Sequence, residues 1–84
     1  MSALGYTIKL YSQNLAADAE SAGVRLGRYA IPNQIPASHL SEIFGVSRNN
    51  IYSWFNGEWR PRAPRAVEID IWLSKQQGQF GKMS

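Results

Sequence analysis

The sequence predicts an all-α protein, a compact bundle of about five short helices in a single domain spanning residues 1–84. Three observations point there. Apolar residues recur at three- and four-residue steps along most of the chain, serine and proline stand where helices would start, and glycine stands where they would stop. At 84 residues the chain has the length of one domain. A chain this short buries only about 60 to 65% of the surface its unfolded form exposes, which leaves little room for a large active-site cleft.

The first expected helix covers residues 4–23, where Leu4, Ile8, Tyr11, Leu15, Ala19 and Ala22 share one face and Gly23 ends the run. Such a stripe packs on the domain's own core or on a partner, and core is the more frequent outcome. The remaining domain core is expected over residues 24–73. It opens with a helix from Val24 to near Ile31, carrying Leu26, Tyr29 and Ala30, weakened by Gly27 and limited by Pro32. Pro36 suits the first position of a third helix, with Leu40, Ile43 and Phe44 on its buried face. Residues 67–73 alternate strictly and fit a strand with Glu68 and Asp70 outward. Helical spacing through Ala66, Ile69, Trp72 and Leu73 fits as well. Helix is favoured because everything upstream is helical and a lone strand would need a partner strand. Residues 76–84, with two glycines and little to bury, are expected to be a flexible tail.

The stretch SRNNIYSWFNGE, residues 47–58, carries the chemistry. With Ser47 as N-cap and Arg48 at zero, Tyr52, Asn56, Asn49 and Ser53 fall at about 40°, 80°, 100° and 140° around a helix. Trp54, Ile51 and Phe55 fall at about 240°, 300° and 340°. One face is an apolar stripe for a core; the other offers a guanidinium, two amides, a hydroxyl and a phenol. Upstream, Leu40-Ser-Glu-Ile-Phe-Gly-Val-Ser places Gly45 where one helix stops and the next begins three residues later. Gly45 can take the left-handed conformation that ends the first helix, Val46 can cover the junction, and small Ser41 permits a close crossing. That is the layout of a helix-turn-helix, in which one helix braces a second against the major groove of DNA.

Residues 36–56 resemble the helix-turn-helix of the lambda-repressor and Cro group of phage and bacterial regulators. The resemblance lies in Leu40, Ser41, Phe44, Gly45, Val46, Ile51 and Trp54, and in the closing Trp-Phe-Asn-Gly followed by a basic Arg-Pro-Arg. It implies that Arg48, Asn49 and Ser53 read base edges, while Asn56 and the loop after it hold phosphates. The chemistry is consistent, since arginine is the usual bidentate reader of guanine and asparagine of adenine. Tyr52 joins the base-reading candidates, with a phosphate contact or plain exposure as its other readings. Arg60, Arg62 and Arg65 would supply attraction and register. The chain departs from the family at Ala37, where a glutamine that touches the backbone is common; Ser38 or a protonated His39 is the candidate to replace it. Trp59 stacks on a sugar or covers the core, the second being favoured.

Charge is consistent with a polyanionic partner. The formal net charge is +3, and residues 44–66 hold four arginines against Glu58 alone, while the five bases elsewhere are balanced by five acids. Other chemistries lack their residues. There is no cysteine, so neither a disulfide framework nor a thiolate nucleophile exists. His39 has no second histidine or cysteine to complete a metal site, Glu68 and Asp70 do not share a helix face, and no phosphate loop or activated-serine motif is present. No enzyme, cofactor, metal or small-molecule substrate is expected. Without an apolar run of membrane-spanning length or a signal-peptide pattern, no membrane association is expected either, and the expected setting is cytoplasmic; the resemblance implies a bacterial or phage-infected cell.

The sequence thus predicts a double-stranded DNA-binding transcriptional regulator acting by operator occupancy through residues 47–56, and the resemblance implies a homodimer. Two other readings use the same helix: a DNA-recognition subunit of a phage packaging or recombination complex, and a helix-turn-helix repurposed for binding protein.

Overall fold

The computed structural model describes the backbone of residues 6–83 and the surroundings of side chains through residue 76. It consists of α1 (Ile8–Ala16), α2 (Ala22–Ala30), α3 (Ala37–Phe44), α4 (Arg48–Phe55) and α5 (Arg65–Met83), with no strand among the described residues. The all-α class and the number of helices agree with the sequence. Helix α2 is central, packing on α1, α4 and α5, while α3 packs on α4. Leu26, Leu40, Ile51, Phe55 and Ile69 are fully buried between them. Phe44 meets Trp54 and Trp72 edge-on, with ring centroids 6.2 and 6.0 Å apart.

The helix expected over residues 4–23 is shorter, α1 ending at Ala16, and the second helix, expected from Val24, begins at Ala22 after a turn. Leu4 lies outside the described residues. Thr7 opens α1, its Oγ1 accepting a hydrogen bond from the Leu10 amide at 3.0 Å. The helix ends at Ala16 because the chain finds other partners. The Asp18 carboxylate takes the Glu20 amide at 3.0 Å, folding a tight turn. Two arginines from α2 satisfy the carbonyls left open: Arg28 donates to Leu15 and Ala17, both at 3.0 Å, and Arg25 to Ala19 and Glu20 at 2.9 and 2.8 Å.

The apolar stripe also faces the opposite way from expectation. Ile8 and Leu15 are 68% and 53% exposed, and Tyr11 is exposed too. The buried line is Tyr6, Leu10 and Asn14. Asn14 is a polar fastener: its Nδ2 donates to the carbonyls of Val24 and Phe55 at 3.1 and 2.7 Å, joining α1 to α2 and α4.

Gly27, expected only to weaken its helix, makes this junction possible. A Cβ there would sit 2.6 Å from Asn14 Nδ2 and 2.8 Å from Phe55 Cγ. Pro36 is the N-cap of α3 rather than its first helical residue; with φ −70° and ψ 150° it lies just outside the helix, where its missing amide hydrogen costs nothing. Residues 67–73 lie within α5, burying Ile69 and Leu73 and leaving Val67 and Ile71 outward. Helix α5 runs on through Met83, across the residues expected as a tail from residue 76. No helix among the described residues is long and apolar enough to cross a membrane.

Candidate nucleic-acid interface

Three residues, Gly45, Val46 and Ser47, separate α3 from α4. Gly45 has φ 68° and ψ 34°, the left-handed conformation expected of it. A Cβ there would touch nothing within 4 Å, so conformation rather than space favours glycine. The Val46 amide returns to the Ser41 carbonyl at 3.1 Å, closing the end of α3, and Val46 packs half-buried against the core. Ser41 donates its hydroxyl to the Ser38 carbonyl at 2.7 Å, within its own helix. Ser47 then caps α4 as expected, its Oγ accepting from the Asn50 amide at 3.2 Å.

Helix α4 has the two faces read from its sequence. Ile51, Trp54 and Phe55 are buried, with Leu40 and Phe44 of α3 in the same cluster. Arg48, Asn49 and Asn50 are exposed, and Tyr52, Ser53 and Asn56 are half-buried. The side chains of Arg48, Asn49, Tyr52 and Ser53 make no hydrogen bond among the described residues, so their donors and acceptors are open to a ligand. Tyr52 leans edge-on against Tyr6, with centroids 6.2 Å apart, which fixes its ring. Tyr6 itself donates its hydroxyl to the Ile35 carbonyl; burial, with Tyr52 adding, holds its phenol above the ordinary value. Asn56 closes α4, its Oδ1 accepting from the Glu58 amide at 2.8 Å. The Asn56 Nδ2 donors have no partner among the described residues.

The loop after α4 is less uniform than its sequence suggests. Arg62 is exposed and has no ion pair among the described residues. Arg60 lies 3.6 Å from Asp18 and 3.9 Å from Glu20. These are exposed pairs of the kind worth about 0 to 1 kcal/mol, weak enough for a phosphate to replace. Arg65 is already engaged: it donates to the Phe44 carbonyl at the end of α3 and stands 3.4 Å from Glu68. Of the three arginines expected on phosphates, it is the one the structure uses to hold α3 and α5 together. Trp59, expected to cover the core, is 67% exposed instead, carried outward beyond Gly57, whose φ of 83° turns the chain. Ser38 and His39 are exposed on the first turn of α3.

Two residues that the sequence left unassigned also belong to this side of the molecule. Lys9 and Gln13, one turn apart on α1, line a cleft of about 440 Å³ with Thr7, Leu10, Tyr52 and Asn56. Their four-residue spacing was visible in the sequence, but it gained meaning only once Tyr6, Leu10 and Asn14 fixed which way α1 turns.

No protein-family model matches the chain, and no curated protein or solved structure is similar to it at a significant level.

Proposed function

We propose that the protein is a sequence-specific double-stranded DNA-binding regulator that reads its site with α4 and acts by occupying an operator. The observation that carries this reading is the two-faced α4: an exposed Arg48 and Asn49 at its capped N-terminus, over a buried Ile51, Trp54 and Phe55. Two eight-residue helices joined through a left-handed glycine support this reading, since a bracing helix followed by a reading helix is the arrangement that enters the major groove. Arg48 is suited to guanine O6 and N7, and Asn49 to adenine N6 and N7. Asn56, Arg60 and Arg62 flank them as phosphate donors. The protein would act as a homodimer on an inverted repeat, with half-sites one helical turn apart.

Selection from a random duplex pool at near-physiological salt, run with the wild type and with Arg48→Ala, tests the reading. The wild type is expected to enrich an inverted repeat. Arg48→Ala is expected to lose about 1 to 3 kcal/mol of discrimination at one base pair of each half-site. If no sequence is enriched, α4 does not read DNA; if the preference is the same in both proteins, Arg48 does not face the bases.

A further inference from the structure

Three clefts adjoin at Asn56, and they differ in charge. Two run past the end of α4: one is lined by Asp18 together with Arg60, which pair at 3.6 Å, and the other by Glu58 with no base. The third, between α1 and α4, is lined by Thr7, Lys9, Leu10, Gln13, Tyr52 and Asn56 and has no carboxylate. We propose that this third cleft holds the phosphodiester backbone of the bound DNA, with Lys9 and Gln13 of α1 as one wall and Tyr52 and Asn56 of α4 as the other. The proposal rests on the reading of α4 as the DNA-facing helix and extends the contact surface to a helix outside the α3–α4 pair.

The chemistry of the lining favours an anion with several acceptor oxygens. Thr7 has its hydroxyl engaged at the α1 cap, and Asn56 has its Oδ1 engaged by the Glu58 amide. What remains turned to a ligand is therefore mostly donors: the Lys9 ammonium, the Asn56 Nδ2 and the Tyr52 hydroxyl, with the Gln13 amide able to donate as well. Buried Leu10 forms an apolar floor beneath them. The walls are also fixed before any ligand arrives. Asn14 bonds α1 to the Phe55 carbonyl of α4 at 2.7 Å, and Tyr6 packs on Tyr52 and Phe55 with centroids 6.2 and 5.6 Å away. Donors held in place in this way lose little freedom on binding. Glu58 disfavours an anion in the cleft it lines, whereas Arg60, paired loosely to Asp18 and Glu20, remains available to a phosphate farther along the strand.

The test is the salt dependence of binding to the duplex enriched by the wild type, measured for the wild type, Lys9→Ala, Gln13→Ala and, as a control cation outside the cleft, Lys75→Ala. Lys9→Ala is expected to weaken binding on all sequences alike and to flatten the slope of log K against log salt by about 0.9, the contribution of one neutralised phosphate. Gln13→Ala is expected to weaken binding with the slope unchanged, and Lys75→Ala to change neither. In a series of duplexes with one methylphosphonate each, one of the positions that weaken the wild type is expected to be silent in Lys9→Ala while the others still weaken it. If the wild type binds the duplex and Lys9→Ala matches it in affinity and slope, the α1 wall is wrong and the α4 reading stands. If the wild type binds no duplex, both fall together.

Discussion

Helices α1 and α4 are close in length, nine and eight residues, and each opens on a hydroxyl cap, yet they meet the core by different physics. Helix α4 buries Ile51, Trp54 and Phe55 and turns its polar residues outward. Helix α1 leaves Ile8, Tyr11 and Leu15 in solvent and buries an asparagine, which is only 1% exposed. Apolar periodicity measures one driving force, the removal of hydrocarbon from water. It does not register an amide docked onto carbonyls of neighbouring helices. One of those carbonyls belongs to Phe55 in the last turn of α4, where backbone acceptors lack an intrahelical donor. The slot for the amide exists because Gly27 has no side chain. The glycine that weakens α2 locally is thus the complement of the asparagine that fastens α1.

If α4 is held by hydrocarbon burial, its largest apolar residue should be the most costly to truncate. Trp54→Ala is expected to destabilise the domain by about 3 to 5 kcal/mol, measured by denaturant unfolding. Trp54 meets Phe44 edge-on and lies so close to α2 that a Cβ on Gly23 would approach its own Cβ to 2.6 Å. A variant that unfolds at the wild-type denaturant concentration would remove the apolar face as the account of α4.

The same difference explains how much of the molecule was legible. The two faces of α4, the left-handed Gly45 and the Ser47 cap depend on residues near one another in sequence, and each was readable. Helix is favoured over strand for residues 67–73 because the chain upstream is helical and a lone strand would need a partner, and α5 does bury Ile69 and Leu73, one turn apart. What escaped was set by distant partners. Nothing near Ala17 announces that Arg25 and Arg28 will take up the open carbonyls after α1. Nothing near Arg65 announces that its guanidinium reaches the end of α3. All three arginines look like surface charges in a linear reading. The candidate site inherits this split: the α4 residues were named from sequence, whereas Lys9 and Gln13 became visible only through the tertiary placement of α1.

For α1, the fastener should matter more than the hydrocarbon. Asn14→Ala is expected to destabilise by about 1 to 3 kcal/mol, because it leaves the Phe55 carbonyl buried without a donor. The loss is smaller than for Trp54 because the native amide is not fully satisfied: its Oδ1 has no partner among the described residues, so part of its desolvation is already uncompensated. A neutral effect would mean that α1 is held by Tyr6 and Leu10 alone.

The smallest effect belongs to residues of the apolar stripe that periodicity placed on the first helix. Replacing Ile8 with serine and Leu15 with glutamine together is expected to change stability by no more than about 0.5 kcal/mol per site, since exposed positions away from caps and partners tolerate substitution. Both side chains are more than half in water, so little transfer free energy rests on them. Denaturant unfolding at low and high protein concentration checks this. A loss of about 2 kcal/mol or more at low concentration would return the stripe to the domain's own core and make Asn14 incidental. A loss seen only at high concentration would instead mean that a second copy covers the stripe, since stability drawn from association grows with protomer concentration. In that case hydrocarbon burial would hold both helices after all, α4 within the chain and α1 between chains.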